Sequence, residues 1–239
     1  MEISVETMAG VRIAERAGAD RIELCAGLAD GGLTPSAALI EQAVAATSTT
    51  EVHVLIRPRP GDFQYSADEV AVIGKDIAVA RRLGADGVVV GALDSSGGLD
   101  VGFIDAAEGI QTTLHRAIDV SADSLRALDQ AAELGFTRVL TSGRRRSVLD
   151  GAPLIRQMVQ RAEGRIQVMA CGGVRASNAL QVVKATGVHD LHAAVRTPVG
   201  DVVPGGVSFA GIGVPDGFDR FETDPDGVAA LCSVIRRCP

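Results

Sequence analysis

The strongest constraint on the fold is a recurring junction in which a helix ends at a glycine and a strand begins three residues later. The segment AGADRIEL around Gly18 recurs as LGADGVVV around Gly84 and as LGFTRVLT around Gly135. Glycine at such a position closes a helix in the left-handed conformation. Because each recurrence sets the same helix-to-strand turn, the chain is built from repeated strand–helix units.

Hydrophobic periodicity predicts eight strands, each followed by a helix. The predicted strands are Glu2–Glu6, Arg21–Cys25, Val52–Ile56, Gly87–Val90, Thr112–Arg116, Arg138–Thr141, Ile166–Ala170 and Asp190–Ala194. The predicted helices are Ala9–Arg16, Pro35–Ala46, Ala67–Leu83, Asp100–Glu108, Ser124–Leu134, Pro153–Arg161, Ser177–Ala185 and Pro225–Arg237. A Gly/Pro-rich excursion at Thr197–Gly217 precedes the last helix.

Eight βα units in 239 residues indicate an α/β fold of the (β/α)₈ barrel type, as a single domain over residues 1–239. A doubly wound open sheet is the alternative, but no GxGxxG follows the first strand. Apolar residues make up 46% of the chain and aromatic residues only 3%, so the core is expected to consist of Ala, Val, Leu and Ile.

Charge and cysteine usage exclude several classes of partner. The net charge is −7 and the only basic run is Arg144–Arg146, so we expect no nucleic-acid partner. We see no apolar run of membrane-spanning length and no signal peptide, so we expect no membrane partner. Four scattered cysteines without a CxxC pair favour reduced thiols in a cytoplasmic protein: Cys25, Cys171, Cys232 and Cys238.

Polar residues at the predicted strand ends converge on one rim, because functional groups in such barrels lie at the carboxyl ends of the strands. Ile22 and Leu24 should face the helices, which directs Glu23 into the lumen. The same alternation directs three more polar side chains inward: Arg57, His115 and His192. We interpret these four as a catalytic pocket. The alternative is a structural layer in which Arg57 neutralises a buried Glu23 and the histidines belong to the core.

A second candidate site follows the seventh strand. Gly172 and Gly173 lead toward a helix predicted to start at Ser177. In barrels of this type, the loops after strands seven and eight commonly bind phosphate through backbone N–H groups and a helix N-terminus. We therefore consider Gly172, Gly173 and Ser177 an anion or phosphate site; a tight turn that merely requires glycine explains the same residues.

Several long motifs, in order, resemble the CutC family. They are RIELCAGLADGGLTPS, IRPRPGDFQYS, LHRAID and RVLTSG, with a weaker match through Gly172–Val174, Asn178 and His192. The resemblance implies a TIM-type barrel, a cytoplasmic homo-oligomer (a dimer or tetramer) and a role in copper homeostasis. It also implies Cys25 as a candidate Cu(I) ligand.

This chain departs from the family pattern at two places. Some members carry cysteines in the first strand, where this chain has Ser4 and Val5. Cys171 stands where the family usually has glycine or alanine, and it adds a weaker candidate thiol.

Three functions are compatible with these residues. The first is copper binding through Cys25, although Cu(I) sites usually require several soft ligands and an isolated buried cysteine is commonly inert. The second is a lyase or isomerase acting on a small anionic or phosphorylated metabolite. In that enzyme Glu23 or His115 would be the acid–base group and Arg57 the anion clamp. The third is an oligomeric scaffold whose rim is structural.

Overall fold

The computed structural model describes residues 1–200, 210 and 213–236. Its eight parallel strands form a closed barrel in chain order, which confirms the predicted (β/α)₈ fold. The strands are β1 (Glu2–Val5), β2 (Arg21–Leu24), β3 (Glu51–Leu55), β4 (Gly87–Val90), β5 (Gln111–Leu114), β6 (Arg138–Thr141), β7 (Gln167–Ala170) and β8 (Asp190–Ala193). Their ends agree with the predicted ends to within two residues.

Seven α-helices pack around the described part of the barrel. They are α1 (Met8–Ala17), α2 (Ala37–Ala46), α3 (Ala67–Arg82), α4 (Ser124–Glu133), α5 (Val148–Ala162), α6 (Ala179–Thr186) and α7 (Pro225–Arg236). Short 3₁₀ helices lie at Leu28–Asp30, Ile104–Ala107 and Arg116–Asp119. No helix among the residues described is both long enough and apolar enough to cross a membrane.

The predicted Gly/Pro-rich excursion lies partly outside the described residues, which omit 201–209 and 211–212. Its two flanks pair as an antiparallel ladder formed by β9 (Arg196–Val199) and β10 (Arg220–Thr223). Cys238 and the predicted helix end at Arg237 also lie outside the described residues.

The helix predicted at Asp100–Glu108 is wrong. Only the 3₁₀ turn Ile104–Ala107 forms there, preceded by Phe103 without a side-chain cap. The carboxylate of Asp100 accepts a hydrogen bond from the N–H of Gly102, at 2.9 Å, and so favours a turn before a helix can start. Such a short segment between glycines does not support the costly first helical turn.

Three predicted helix starts are also wrong, because serine or asparagine ends the preceding loop. Helix α2 begins after Ser36, whose side chain accepts a hydrogen bond from the N–H of Leu39, and not at Pro35. Helix α5 begins after Ser147, so Pro153 lies inside the helix instead of opening it. Helix α6 begins at Ala179 with Asn178 as its cap residue, which leaves Ser177 in the loop.

Alternation along the strands separates the outer core from the lumen. Ile22 and Leu24 belong to the large apolar core that includes the buried faces of the helices. The guanidinium of Arg21 points the other way and lies 3.6 Å from Sδ of Met169 on β7. Because β2 and β7 are not neighbouring strands, this contact runs through the inside of the barrel.

Candidate functional site

Glu2 is the centre of the polar network inside the barrel. It pairs in register with Arg21 on β2 and with His192 on β8. Its Oε2 accepts from Nε of Arg21 at 2.5 Å, and its Oε1 lies 2.7 Å from Nδ1 of His192. Burial would raise the pKa of Glu2, but the positive partners His192 and Arg21 outweigh it and hold this pKa well below its usual value. Glu2 is therefore a buried anion.

Glu23 lies beside this network in a different electrostatic situation. Its Oε2 accepts from Oγ of Ser4 at 2.8 Å and lies 3.9 Å from Nε2 of His192. Burial raises the pKa of Glu23, with a further contribution from Glu2, while His192 and Ser4 oppose the shift. For His192, burial alone would lower the pKa, but the carboxylates of Glu23 and Glu2 outweigh it and raise the pKa.

Glu23 and His192 retain some accessibility, whereas Glu2 does not. Their side chains are 7% and 12% exposed, against 0% for Glu2. Both side chains belong to the lumen network. One oxygen or nitrogen ligand atom from each of Glu2, Glu23 and His192 lies within 4.8 Å of the others. The arrangement is suited to proton transfer or to holding a cation.

Cys25 lies on the same face of the chain as Glu23. Its Sγ is 3.5 Å from the carbonyl oxygen of Val5 and 3.6 Å from Oγ of Ser4. Burial raises the pKa of Cys25 well above its ordinary value, and the charge of Glu23 adds to the shift. The thiol is therefore protonated at neutral pH, and a metal would have to displace its proton.

Cys171 does not join Cys25. Cys25 packs with Leu55 and Val89, whereas Cys171 packs with Leu140 and Met169 in a separate apolar cluster. Burial also raises the pKa of the Cys171 thiol. Within the described residues the structure therefore gives no pair of soft thiol ligands.

Arg57 does not neutralise Glu23, so the alternative of a structural layer built on that ion pair is wrong. Nη1 of Arg57 donates to the carbonyl oxygens of Asp30 and Gly32, at 3.0 and 2.9 Å. Nη2 donates to the carbonyl oxygen of Gly61, at 2.8 Å. Arg57 follows the end of β3 and lies at the level of the loops, whereas Glu23 lies within β2, so the two side chains bind different partners.

His115 belongs to a second buried region. Its Nδ1 accepts from the N–H of Ala117 at 3.2 Å, and its ring centroid is 4.7 Å from that of Phe63. Cζ of Arg57 lies 5.2 Å from the same Phe63 centroid. Burial, with a contribution from the positive charge of Arg57, lowers the pKa of His115 to about 3. A neutral imidazole whose Nδ1 is occupied is poorly suited to act as a base.

Sequence reasoning missed the residues deeper in the lumen. Nε of Arg138 lies 3.1 Å from both Asp190 and Gln167. His53 is fully buried, and burial lowers its pKa to about 3. Alternation along the strands could have identified these residues, and Glu2 with Arg21, as lumen residues. These residues lie before the carboxyl ends of their strands, which is where functional groups are expected in such barrels.

The predicted anion site has an open turn at its centre. Gly172 and Gly173 have φ angles of 106° and 80°, a region that favours glycine. The carbonyl oxygen of Gly172 accepts from Val148 N at 2.9 Å, and that of Gly173 accepts from Nδ2 of Asn178 at 2.9 Å. No described atom lies within 4 Å of the position that a Cβ on Gly173 would take. The turn is therefore accessible on that side.

Asp119 organises the neighbouring loop after β6. Its carboxylate accepts from Oγ1 of Thr141 at 2.6 Å and from the backbone N–H groups of Ser142 and Arg144, each at 3.1 Å. Nε of Arg116 lies 3.0 Å from the same carboxylate. One buried carboxylate thus fixes the path of the chain at this part of the rim.

Comparisons with known proteins agree with the motifs. The model of the CutC family matches residues 1–197. A CutC family protein of Pasteurella multocida is 45% identical over 196 residues, covering 80% of each chain. One of Histophilus somni is 39% identical over 236 residues, covering 97% of each. The crystal structure of CutC from Streptococcus agalactiae, a protein named for copper homeostasis, has a TM-score of 0.75 and 33% identity, covering 80% of this chain and 96% of its own. This chain belongs to the CutC family.

Proposed function

We propose that the barrel lumen carries out acid–base chemistry of the lyase or isomerase class on a small anionic molecule. The observation that carries this proposal is the accessible Glu23–His192 pair beside the fully buried Glu2. Burial raises the pKa of Glu23, so this carboxyl group keeps its proton to higher pH than an ordinary glutamate and is suited to donate or accept a proton. The neighbouring carboxylates raise the pKa of His192 and so favour its imidazolium form, which would attract an anionic substrate.

The other residues predicted from the sequence have more limited roles in this proposal than the sequence alone suggested. Glu23 is the proton-transfer group in preference to His115, which is neutral and enclosed. Arg57 contributes positive charge near the strand ends, while both of its Nη atoms bind carbonyl oxygens. We assign the anionic end of the substrate, a carboxylate or a phosphate, to the Gly172–Gly173 turn and the adjoining Ser177. The open space at Gly173 supports this assignment.

A ligand screen followed by an exchange assay tests the proposal. A panel of small carboxylates and their phosphorylated counterparts should contain compounds that raise the melting temperature, since ligand at about 100 times its Kd adds about 2.7 kcal/mol. In D₂O, the wild type should then exchange a carbon-bound proton of such a compound, as observed by NMR. Glu23→Gln should remain folded and lose the exchange.

Glu41→Gln is the matched control, because Glu41 is an exposed glutamate on α2, one of the helices outside the barrel. This variant should behave as the wild type in both assays. A panel without any stabilising compound, or full exchange by Glu23→Gln, would contradict the acid–base role.

Binding of Cu(I) by Cys25 is a second candidate, favoured by the family name and by the 3.6 Å contact between Cys25 and Ser4. The residues fit this ion poorly, since the pKa of the Cys25 thiol is raised and the second described thiol, that of Cys171, packs in a separate cluster. Ser4 stands at a first-strand position where some members of the family carry cysteine. A thiol at this position would lie next to Cys25 and complete a two-sulfur site.

Competition with a Cu(I) chelator tests this candidate. If Cys25 is the ligand, Cys25→Ser should lose binding and Ser4→Cys should bind more tightly than the wild type. Cys232→Ser is the control, because Cys232 is buried in α7 and packs in the outer core, apart from the cluster that contains Cys25. Equally weak binding by the wild type and Cys25→Ser would remove Cu(I) as a direct ligand.

We also infer a cytoplasmic homo-oligomer, a dimer or tetramer, for this protein. The free thiols of Cys25, Cys171 and Cys232 suit a reducing compartment. The oligomer follows from the family resemblance.

A further inference from the structure

We propose that Glu23 and His192 form a binding site for a divalent transition-metal ion, Zn²⁺ or Cu²⁺, with Glu2 holding the imidazole in place. This metal site goes beyond the proposed function. It rests on that function in one respect only, namely that the bound ion would block proton transfer. The ion would occupy the space between the two side chains, so the metal-bound form is an alternative, inhibited state of the same pair.

The spacing of the ligand atoms carries the argument. Nδ1 of His192 is committed to Oε1 of Glu2 at 2.7 Å, so Nε2 is the free ligand atom of the ring. Nε2 lies 3.9 Å from Oε2 of Glu23, which is too far for a hydrogen bond. Two ligands about 2.0–2.2 Å from one tetrahedral zinc ion are separated by about 3.3–3.6 Å. The gap of 3.9 Å is a few tenths of an ångström wider, so the two side chains would move slightly toward each other to bind one ion.

Both ligands are oriented by further partners. A carboxylate that accepts from the second ring nitrogen of a metal-bound histidine is a recurrent arrangement, and Glu2 has this relation to His192. Arg21 holds the other oxygen of Glu2, and Ser4 donates to Glu23 at 2.8 Å. The ligand atoms are thus directed toward one another before an ion arrives.

The chemistry of these ligands favours one oxidation state of copper over the other. An imidazole nitrogen and carboxylate oxygens suit Zn²⁺ and Cu²⁺, and Cu²⁺ has the highest affinity in the divalent series for such a site. Cu(I) prefers sulfur, and the nearest thiol in the lumen cluster, Cys25, contacts Ser4 and the carbonyl of Val5 instead. In the reducing compartment inferred above the site would hold Zn²⁺ without using Cys25, and Cu²⁺ serves as its spectroscopic probe in vitro.

Metal binding to the untagged protein, without substrate, tests the inference. Equilibrium dialysis should give one Zn²⁺ or one Cu²⁺ per chain, and the EPR spectrum of the Cu²⁺ form should show coupling to one imidazole nitrogen. Glu23→Gln and His192→Gln should each weaken binding by at least about tenfold, and Glu2→Gln by about 10–100-fold through loss of the orienting carboxylate.

His189→Gln and Cys25→Ser are the controls, because His189 is exposed just before β8 and Cys25 is the alternative ligand. Both should bind as the wild type does. A wild-type EPR spectrum without imidazole coupling would overturn the site, and this readout does not depend on whether a variant folds. Unchanged binding by a folded His192→Gln would also overturn it. So would loss of binding in Cys25→Ser. These readouts need no substrate, so they are independent of the exchange assay.

Discussion

Glu2→Gln is expected to lower the free energy of unfolding by about 3–5 kcal/mol, the usual cost of removing one partner from a buried ion pair. Glu2 is fully buried and neutralises both Arg21 and His192. A neutral amide leaves the guanidinium of Arg21 in the barrel with only the longer contacts to Glu51 and Asp190, at 3.8 and 3.7 Å. Urea unfolding of the two proteins at neutral pH measures the difference.

Asp129→Asn provides the matched control for an ion pair on the surface. Asp129 lies 2.6 Å from Nη2 of Arg161, and the arginine side chain is 50% exposed. Surface pairs of this type contribute about 0–1 kcal/mol, so this variant should unfold almost as the wild type does. Glu23→Gln should also stay folded, because Arg57 depends on backbone carbonyls and not on Glu23. A loss below about 1 kcal/mol for Glu2→Gln would show that the pair is dispensable.

Asp119→Ala is expected to destabilise the protein by about 3 kcal/mol or more, since each buried donor left without an acceptor costs about 1–3 kcal/mol. The substitution removes the acceptor for the N–H groups of Ser142 and Arg144 and for the hydroxyl of Thr141. Asp119→Asn keeps one carbonyl oxygen as an acceptor and should therefore lose less stability than Asp119→Ala. Thermal and urea unfolding of both variants measures the two losses.

The contribution of Asp119 should depend on pH in a defined direction. Burial would raise its pKa, but hydrogen bonds from Thr141, Ser142 and Arg116 outweigh it and lower the pKa below the ordinary 3.8. The stabilisation is therefore fully present above the unfolded pKa and is lost as pH falls through the folded pKa. The stability gap between the wild type and Asp119→Asn should narrow below about pH 3.8. A gap that stays constant down to the acid limit of folding would contradict a charged Asp119.

The barrel could be predicted from the sequence because its signals are local. Gly84 and Gly135 mark helix ends, and the run Gly87–Val90 marks a strand buried on both faces. The segment Asp100–Glu108 misled the prediction because its spacing resembles a helix while Asp100 and Gly102 form a turn. Such side-chain competition with the backbone is not visible in periodicity alone.

The candidate site was predicted less completely. Alternation along a strand tells which way a side chain points, but not how far along the barrel axis it lies. It places Glu23, Arg57 and His192 toward the lumen, but each strand of the barrel is offset along the axis from its neighbour. This offset brings Glu2 on β1 level with His192 on β8, while Arg57 lies among the loops beyond β3. Which side chains pair therefore depends on the register between neighbouring strands, and the sequence alone does not show this register.

The guanidinium of Arg57 has a consequence for engineering of the barrel mouth. It holds carbonyl oxygens of Asp30 and Gly32 in the loop after β2 and of Gly61 in the loop after β3. Thr34 adds a backbone contact by accepting from Arg57 N at 2.9 Å. The two loops are therefore one mechanical unit, and a graft that exchanges only one of them would separate Arg57 from the carbonyl oxygens of Asp30 and Gly32. Chimeras within the family should exchange both loops together.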